Sequence, residues 1–286
     1  MLKQIEQNQH ISESSHLEIL MAKLSNFAYK NIRKYKSGQK LFKKDTLMAW
    51  EYFQPSNISN ELTSKIFTAI NNETKEIVIV FKGSEPLPSF DLESIVNDWC
   101  VSDLNLVIGR IPKQFYDAYN YLQSVKPSIP ADFKIYMTGH SLGGSLVQLL
   151  CSLDENKHVA GYTYNAFGVK HLLSNLENEG YSINSEFKNI NNFSMSADLV
   201  SNHNEHIGNV FVVKYEKNFI QTIFAIISEL PKVMTDIPFK VKKSIKYYIN
   251  RINWFFIKIN GHLMNNFTNE FTYEKYDKNK IEETIF

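Results

Sequence analysis

A serine flanked by closely spaced glycines is the strongest chemical signal in the sequence. Residues 138–144 read Thr-Gly-His-Ser-Leu-Gly-Gly and match the pattern G-x-S-x-G centred on Ser141. This pattern requires a strand, a sharp turn that presents the serine, and a helix; glycines at Gly139 and Gly143 remove Cβ atoms that would collide. The helix start also directs N–H groups and partial positive charge at a developing oxyanion. The spacing predicts a nucleophilic serine; the alternative is a chance pentapeptide whose glycines serve only a turn.

Neighbouring segments extend this signal into a family resemblance. Residues 139–144, with His140 inside the elbow, resemble the Gly-His-Ser-Leu-Gly-Gly elbow of class 3 lipases, and residues 98–104 resemble that family's Asp-Trp-x-x-Asp-Leu stretch. Residues 78–84 resemble its strand ending in Phe-Arg-Gly-Thr/Ser, with Lys82 replacing the usual Arg. The chain is therefore similar to the fungal-lipase-like branch of the α/β-hydrolases. The resemblance implies an α/β-hydrolase fold with a mostly parallel central sheet flanked by helices.

One departure from the family pattern lies before a predicted helix. Residues 114–119 resemble the helix that the family opens with His-x-Gly-Phe-x-x-Ala-Tyr. Residues 111–114 lack both the His and the Gly, so the conformation of this approach loop is expected to differ.

A catalytic serine needs a base and an acid that orients the base, and this fold places them in the order Ser, Asp or Glu, His. Asp198 follows a predicted strand at 189–194, where a carboxylate lies on the active face of an open α/β sheet. Its surroundings resemble the family's Asp-x-Val-Ser; the alternative is a turn-forming aspartate. Earlier histidines violate the order, and His203 and His206 follow Asp198 too closely. This leaves His262 as the base, in a stretch that resembles the family's His-x-Met/Leu-x-x-Tyr/Phe; the alternative is a surface histidine.

Two groups are expected to form the oxyanion hole. The backbone N–H of Leu142, the residue after the nucleophile, is one donor. The family resemblance implies Ser84 as the second donor, through its N–H and its hydroxyl. The alternative for Gly83 and Ser84 is a turn that ends a strand.

Alternating strands and helices must position these residues. Strands are predicted at 64–69, 77–81, 133–138, 161–166, 189–194 and 210–215, and helical spacing occupies 13–33, 114–125 and 142–153. The pair 64–69 and 77–81 flanks a polar stretch and predicts a hairpin, and the β-branched run at 77–81 predicts a strand buried on both faces. This alternation predicts a mostly parallel sheet covered on both sides, within one domain spanning 1–286.

Residues 217–259 depart from this rhythm and predict a helical insertion between the catalytic acid and the histidine. Between 231 and 260 there are seven basic residues and one acidic residue, a net charge of +6, whereas the whole chain carries +1. Apolar helices with a basic rim suit a mobile lid or a peripheral membrane-docking element. A helical pair packed on the core with solvated lysines remains the alternative.

Several classes of function are excluded or disfavoured. The net charge of +1 excludes strong electrostatic recruitment of the whole molecule to nucleic acid, so no nucleic-acid partner is expected, although a local basic patch remains open. His203 and His206 supply only two ligands without a helical pattern, so a polar loop is expected there and no metal. The two cysteines are too few for a disulfide framework. We also expect no cofactor. The polar N-terminus has no signal-peptide core, which predicts a cytoplasmic protein or one exported without a cleavable N-terminal signal.

The resemblance implies a serine carboxylester hydrolase acting on lipid esters, of the lipase or phospholipase A type, through a Ser-Asp-His triad and an acyl-enzyme. Because a fold does not determine a substrate, a short-chain esterase, thioesterase or acyltransferase on the same scaffold remains open. A non-catalytic membrane- or protein-binding module is the other alternative. It is disfavoured because all three triad residues occur in the expected order.

Overall fold

The computed structural model describes residues 12–30, 32–43, 46–54, 65–84, 109–195, 198, 201, 204–213, 267–268 and 271–275. Three predicted features lie outside these residues: the Asp-Trp segment 98–104, the insertion 217–259 and His262. They therefore stay predictions, as does the assignment of 1–286 to one domain.

The described strands form one mixed sheet. They are β1 Ser12–Glu13, β2 Glu51–Phe53, β3 Ile66–Asn71, β4 Glu76–Phe81, β5 Lys134–His140, β6 Ala160–Tyr164, β7 Ile190–Met195, β8 Asn209–Val213 and β9 Thr272–Lys275. Their spatial order is β1-β9-β8-β7-β6-β5-β4-β3-β2. Strands β4 to β8 are parallel, and antiparallel strands complete both edges. The predicted mostly parallel α/β-hydrolase sheet is confirmed.

Helices cover this sheet. The described α-helices are α1 His16–Phe27, α2 Lys113–Val125, α3 Leu142–Ser152 and α4 Leu173–Asn178. Helix α1 begins where the Ser15 side chain accepts the Glu18 N–H and the Glu18 carboxylate accepts the Ser15 N–H, a complete capping box. Helix α3 begins directly after the serine of the elbow, as the sequence predicts.

The predicted hairpin is confirmed. Strands β3 and β4 are antiparallel: Ile66 is opposite Phe81 at one end, and Asn71 is opposite Glu76 at the other. The Asn71 carboxamide oxygen anchors the polar turn between them by accepting the Glu73 and Thr74 N–H groups. Asparagine is favoured in such turns because its side chain bonds the backbone two residues ahead.

Strand β4 shows why the sheet needs helices on both faces. Its side chains at Ile79 and Phe81 join the core that helices α2 and α3 cover, whereas Val78 and Val80 join the core that helix α1 covers. All four side chains are completely buried. Because successive side chains on a strand point to opposite faces, a continuous apolar run is stable only between two apolar layers.

Candidate active site

Ser141 occupies a strained turn between β5 and α3. Its backbone adopts φ 56° and ψ −129°, a combination that an L-residue adopts only when its surroundings enforce it. The Ser141 N–H donates to the Tyr164 carbonyl oxygen at 3.0 Å, and the Ser141 carbonyl oxygen accepts the Gly144 and Ser145 N–H groups at 2.9 and 3.1 Å. These bonds hold the turn between strand β6 and the first turn of helix α3.

Close backbone approach explains the glycines of the elbow. A Cβ at Gly139 would collide with the backbone of Gly143, and a Cβ at Gly143 would collide with the carbonyl group of Phe81. Helix α3 therefore crosses the ends of β4 and β5 at a distance that only glycine permits. A turn alone does not explain these glycines, because the clashes would occur between different elements: β5 with α3, and α3 with β4.

The loop after β4 runs alongside the nucleophile. A Cβ at Gly83 would lie 2.5 Å from the His140 carbonyl oxygen and 3.2 Å from the Ser141 Cβ. The Lys82 N–H donates to the Lys65 carbonyl oxygen at 2.8 Å, which anchors the loop at its start. Ser84 is therefore the next residue after the point of closest approach to Ser141. This arrangement is compatible with the predicted oxyanion hole, in which Leu142 lies on the helix side and Ser84 on the strand side.

Sequence reasoning missed a contact from helix α1 to the elbow. The Tyr29 hydroxyl and His140 Nδ1 lie 2.7 Å apart and share a hydrogen bond, and the two rings meet edge to face. The same hydroxyl lies 2.5 Å from the Cβ position of Gly83, and the Lys82 Nζ lies 5.9 Å from the centre of the Tyr29 ring. Tyr29 thus touches both sides of the nucleophile turn. No local spacing pattern links residues this far apart in sequence.

Asp198 lies at the same edge of the sheet as Ser141. It follows strand β7 by three residues, its side chain is completely buried, and its Oδ2 accepts the Ser201 N–H at 2.8 Å. Strand β6 separates β5 from β7, so their carboxyl ends lie about 10 Å apart across the sheet. An imidazole inserted between the two side chains would span such a gap.

The end of β7 is held by a side chain that the sequence did not single out. The Asn165 Oδ1 accepts the Met195 N–H at 2.9 Å, and the Asp198 N–H in turn donates to the Met195 carbonyl oxygen at 2.9 Å. Asn165 has φ 46°, a left-handed conformation that asparagine tolerates better than most residues. Asn165 lies inside the strand predicted at 161–166, whereas β6 ends at Tyr164, so the sequence pattern did not single it out.

His206 is buried near Asp198 and supports the loop around it. Its Nε2–H donates to the Ser201 carbonyl oxygen at 2.8 Å, while Ser201 donates its own N–H to Asp198. Burial lowers the pKa of His206 below its ordinary value of 6.5, although the hydrogen bond to Ser201 and the nearby Asp198 charge oppose this shift. Within the described ranges, the buried Nδ1 has no hydrogen-bond partner. Burial thus favours the neutral form of the imidazole, and its Nε2–H supports the loop through Ser201.

The loop is also tied to the nucleophile helix. The Gln148 Nε2 donates to the Phe167 carbonyl oxygen at 2.8 Å, and the Gln148 Oε1 accepts the Ile207 N–H at 3.4 Å. Gln148 is completely buried on α3, so a polar side chain in that helix bridges the segment after β6 and the residue that comes two positions before β8.

The structure brings most of the predicted site residues together, without testing their roles. Gly139, His140, Ser141, Leu142 and Gly143 form the elbow, the Ser84 loop packs beside it, and Asp198 lies two strands away. Among the described residues, no group of three or more His, Cys, Asp or Glu side chains is arranged to hold a metal ion. In the same part of the chain, no helix has the length and apolar character needed to cross a membrane.

Most of the sequence matches one protein family. The Tle-like phospholipase domain matches residues 20–236, about three quarters of the chain, and this span contains the elbow and Asp198. The chain belongs to the Tle-like phospholipase domain family. Membership in this phospholipase-like family supports hydrolysis of a carboxylic ester bond in a lipid. The comparison with curated proteins gave no match.

This Tle-like phospholipase domain also has distant similarity to solved lipases. The Lip2 lipase of Yarrowia lipolytica is 18% identical, with 73% of this chain and 82% of that chain covered and a TM-score of 0.43. A triacylglycerol lipase with a serine-protease triad is also 18% identical; the match covers 71% of this chain and 82% of that chain, with a TM-score of 0.43. The lipase of Rhizopus microsporus var. chinensis is 14% identical, covering 71% and 76% with a TM-score of 0.39. At these values the similarity adds nothing about chemistry.

Proposed function

We propose that this chain cleaves an acyl ester bond of a phospholipid through a Ser141–Asp198–His262 triad and an acyl-enzyme. One observation carries the proposal: Ser141 lies in a strained elbow at the start of a helix, with the Gly83–Ser84 loop packed against it, in a Tle-like phospholipase domain.

In the proposed reaction, the Ser141 Oγ attacks the ester carbonyl carbon while His262 accepts the hydroxyl proton. Asp198 orients the imidazole and stabilises its positive charge, as the acid of such a triad does. The N–H groups of Leu142 and Ser84 receive the oxyanion, and loss of one such donor typically costs about 2.7–4 kcal/mol of transition-state stabilisation. His262 then protonates the departing alcohol. Water, deprotonated by the same histidine, releases the fatty acid.

The position of Phe267 supports His262 as the base. Phe267 is completely buried, and its ring centre lies 5.1 Å from that of Tyr164, the residue whose carbonyl oxygen holds the Ser141 N–H. His262 precedes Phe267 by five residues, and five residues of chain span at most about 18 Å. A base at the carboxyl edge of the sheet is compatible with this limit on chain length. His206, by contrast, uses its Nε2–H on Ser201.

The family description favours phospholipids over neutral fats as substrates. The test is release of fatty acid from phosphatidylcholine, phosphatidylglycerol, triacylglycerol and a short p-nitrophenyl ester by the same preparation. We expect the phospholipids to be cleaved fastest. Cleavage restricted to the short ester would favour an esterase, and release of no product from any of them would favour a binding module.

The nucleophile is tested by labelling with a fluorophosphonate. Ser141→Ala should remove both labelling and hydrolysis, whereas Ser145→Ala should retain them. Ser145 is a matched control because it is a buried serine one turn along the same helix, with its Oγ 3.2 Å from the Phe167 carbonyl oxygen. Undiminished labelling of Ser141→Ala would refute the assignment.

A further inference from the structure

Positive charge is concentrated in a segment outside the predicted insertion. Between residues 19 and 44 the sequence contains no acidic residue, and its basic residues are Lys23, Lys30, Arg33, Lys34, Lys36, Lys40, Lys43 and Lys44. Eight positive charges within this segment contrast with a net charge of +1 for the whole chain. The remainder of the chain must therefore be net negative, so charge is distributed unevenly along the sequence.

The segment after helix α1 separates apolar from charged side chains. Ile32 and Leu41 are buried, and the Tyr35 and Phe42 rings pack against Phe27 in the core that α1 covers. The lysines between and beside these residues are exposed: Lys30, Lys34, Lys36, Lys40 and Lys43. We call these five lysines the basic ridge. Its backbone is held by the apolar anchors, so the charges have a defined location.

The ridge begins at the residue after Tyr29, the side chain that contacts the nucleophile elbow. Lys30 directly follows Tyr29, whose hydroxyl bonds to His140 beside Ser141. From there the chain reaches the edge of the sheet, where the Ser37 Oγ accepts the Gln54 N–H at 3.3 Å. Phe53 at the end of β2 pairs with Thr68, which pairs with Ile79, two residues before the carboxyl end of β4. Lys36, the neighbour of Ser37, therefore lies toward the active edge.

Most of the ridge is not neutralised by the described part of the chain. Lys40 forms an ion pair with Glu51 at 2.9 Å. For Lys30, Lys34, Lys36 and Lys43, the described residues include no acidic partner within ion-pair distance. Like charges gathered on one edge repel one another, and an anionic surface that meets several of them at once removes this cost.

We propose that the basic ridge docks the protein on an anionic phospholipid bilayer and thereby presents the Ser141 edge of the sheet to its substrate. This inference rests on the proposed function, because a lipid ester hydrolase requires its active edge at a membrane surface. A bilayer offers many phosphates in one plane, which matches exposed lysines on a structurally anchored edge better than a single anion does. The ridge is separate in sequence from residues 217–259.

The test is vesicle binding by the full chain carrying Ser141→Ala, so that hydrolysis does not alter the membrane. Vesicles of pure phosphatidylcholine are compared with vesicles that also contain phosphatidylglycerol. The triple variant Lys30→Gln, Lys34→Gln, Lys36→Gln should bind the anionic vesicles about a hundredfold more weakly, or about fivefold per lysine. Raising the salt to about 1 M should have a similar effect, because the Debye length falls to about 3 Å.

A matched control removes the same charge from the opposite edge of the sheet. Lys134, Lys157 and Lys188 are exposed and lie at or just before the amino ends of β5, β6 and β7. Their triple change to Gln should leave vesicle binding near the wild-type level. Equal melting temperatures for the two triple variants would show that both are folded.

The outcomes separate this inference from the proposed function. Equal vesicle binding by the two triple variants, or equally tight binding to pure phosphatidylcholine, would overturn the docking proposal. Tighter binding of a duplex oligonucleotide than of anionic vesicles at the same salt would also overturn it and indicate a nucleic-acid surface. If vesicle binding depends on the ridge but the unmodified chain cleaves no ester, the proposed function fails while the docking surface stands.

Discussion

The nucleophile elbow and the acid loop, as we call residues 196–208, are held by different forces, although Ser141 and Asp198 follow the carboxyl ends of the parallel strands β5 and β7. The elbow is built by backbone contacts: Gly139 packs on Gly143, and Gly143 packs on Phe81. Polar side chains from elsewhere hold the residues around the acid: Asn165 bonds to Met195 at the end of β7, and Gln148 bonds to Ile207 in the loop. A site whose geometry depends on glycines should tolerate almost no added atom. A site that depends on side-chain hydrogen bonds should respond to single bonds in a graded way.

Among variants that keep the nucleophile, the largest effect on catalysis is expected from Asp198→Asn. An amide keeps an oxygen that accepts the Ser201 N–H, but it cannot stabilise an imidazolium, and the corresponding change in a serine protease triad lowers kcat about 10⁴-fold. Steady-state kinetics on phosphatidylcholine provide the measurement. Glu205→Gln is the control, because Glu205 is an acid of the same loop that pairs with Lys170 at 2.9 Å. An equal loss in both variants would show that loop charge, and not a triad, supports the activity.

Gly143→Ala should break the elbow. The added methyl group collides with the Phe81 carbonyl group, so we expect the free energy of unfolding to fall by about 1–3 kcal/mol and labelling of Ser141 to be lost. Gly180→Ala separates this clash from backbone strain, because Gly180 has φ +92° but open space around its Cβ position. This variant should lower the free energy of unfolding measured with denaturant and leave labelling of Ser141 unchanged. Full labelling of a folded Gly143→Ala variant would show that the elbow is not as tight as the contacts indicate.

Tyr29→Phe should lower kcat up to about tenfold with little change in KM. The variant loses the hydrogen bond to His140, and one such bond contributes about 0.5–1.5 kcal/mol. Tyr121→Phe is the matched control: Tyr121 is buried, and its hydroxyl lies 3.0 Å from the Thr68 Oγ1, on the helix α2 side of the sheet. That variant should be less stable but equally active. Comparing these two variants tests whether a side-chain hydrogen bond, as well as glycine packing, supports the elbow.

The smallest expected effect is the pH dependence that His206, in the acid loop, gives to the free energy of unfolding. Burial lowers the pKa of His206 in the folded chain below 6.5, so the unfolded chain binds a proton first as the pH falls. The free energy of unfolding should therefore decrease as the pH falls below about 6.5, the ordinary value for histidine.

His206→Gln should flatten this decrease. Glutamine keeps a donor for the Ser201 carbonyl oxygen and has no titratable group. Exposed His158→Gln is the control and should follow the wild type in denaturant titrations at pH 7, 6 and 5. A steeper decrease in His206→Gln than in the wild type would contradict the burial argument.

Elements with strong local patterns were predictable to within a few residues. The β-branched run of β4, the apolar spacing of α1 and the helix that follows Ser141 occur where the sequence places them. The edge strands β1, β2 and β9 were not predicted, because strands of two to four residues are too short to show alternation. Their pairing depends on neighbours far away in sequence, as in the Ser12–Tyr273 pair.

By itself, the sequence determined which serine sits in an elbow and that a parallel sheet must present it. The physical reason is that a strand, a glycine-lined turn and an apolar helix are consecutive in the chain, so local sterics suffice. Only the tertiary structure decided that Tyr29 bonds to His140 and that Asn165 holds the end of β7. Those contacts join groups whose proximity arises from sheet order and layer packing, which no local spacing encodes.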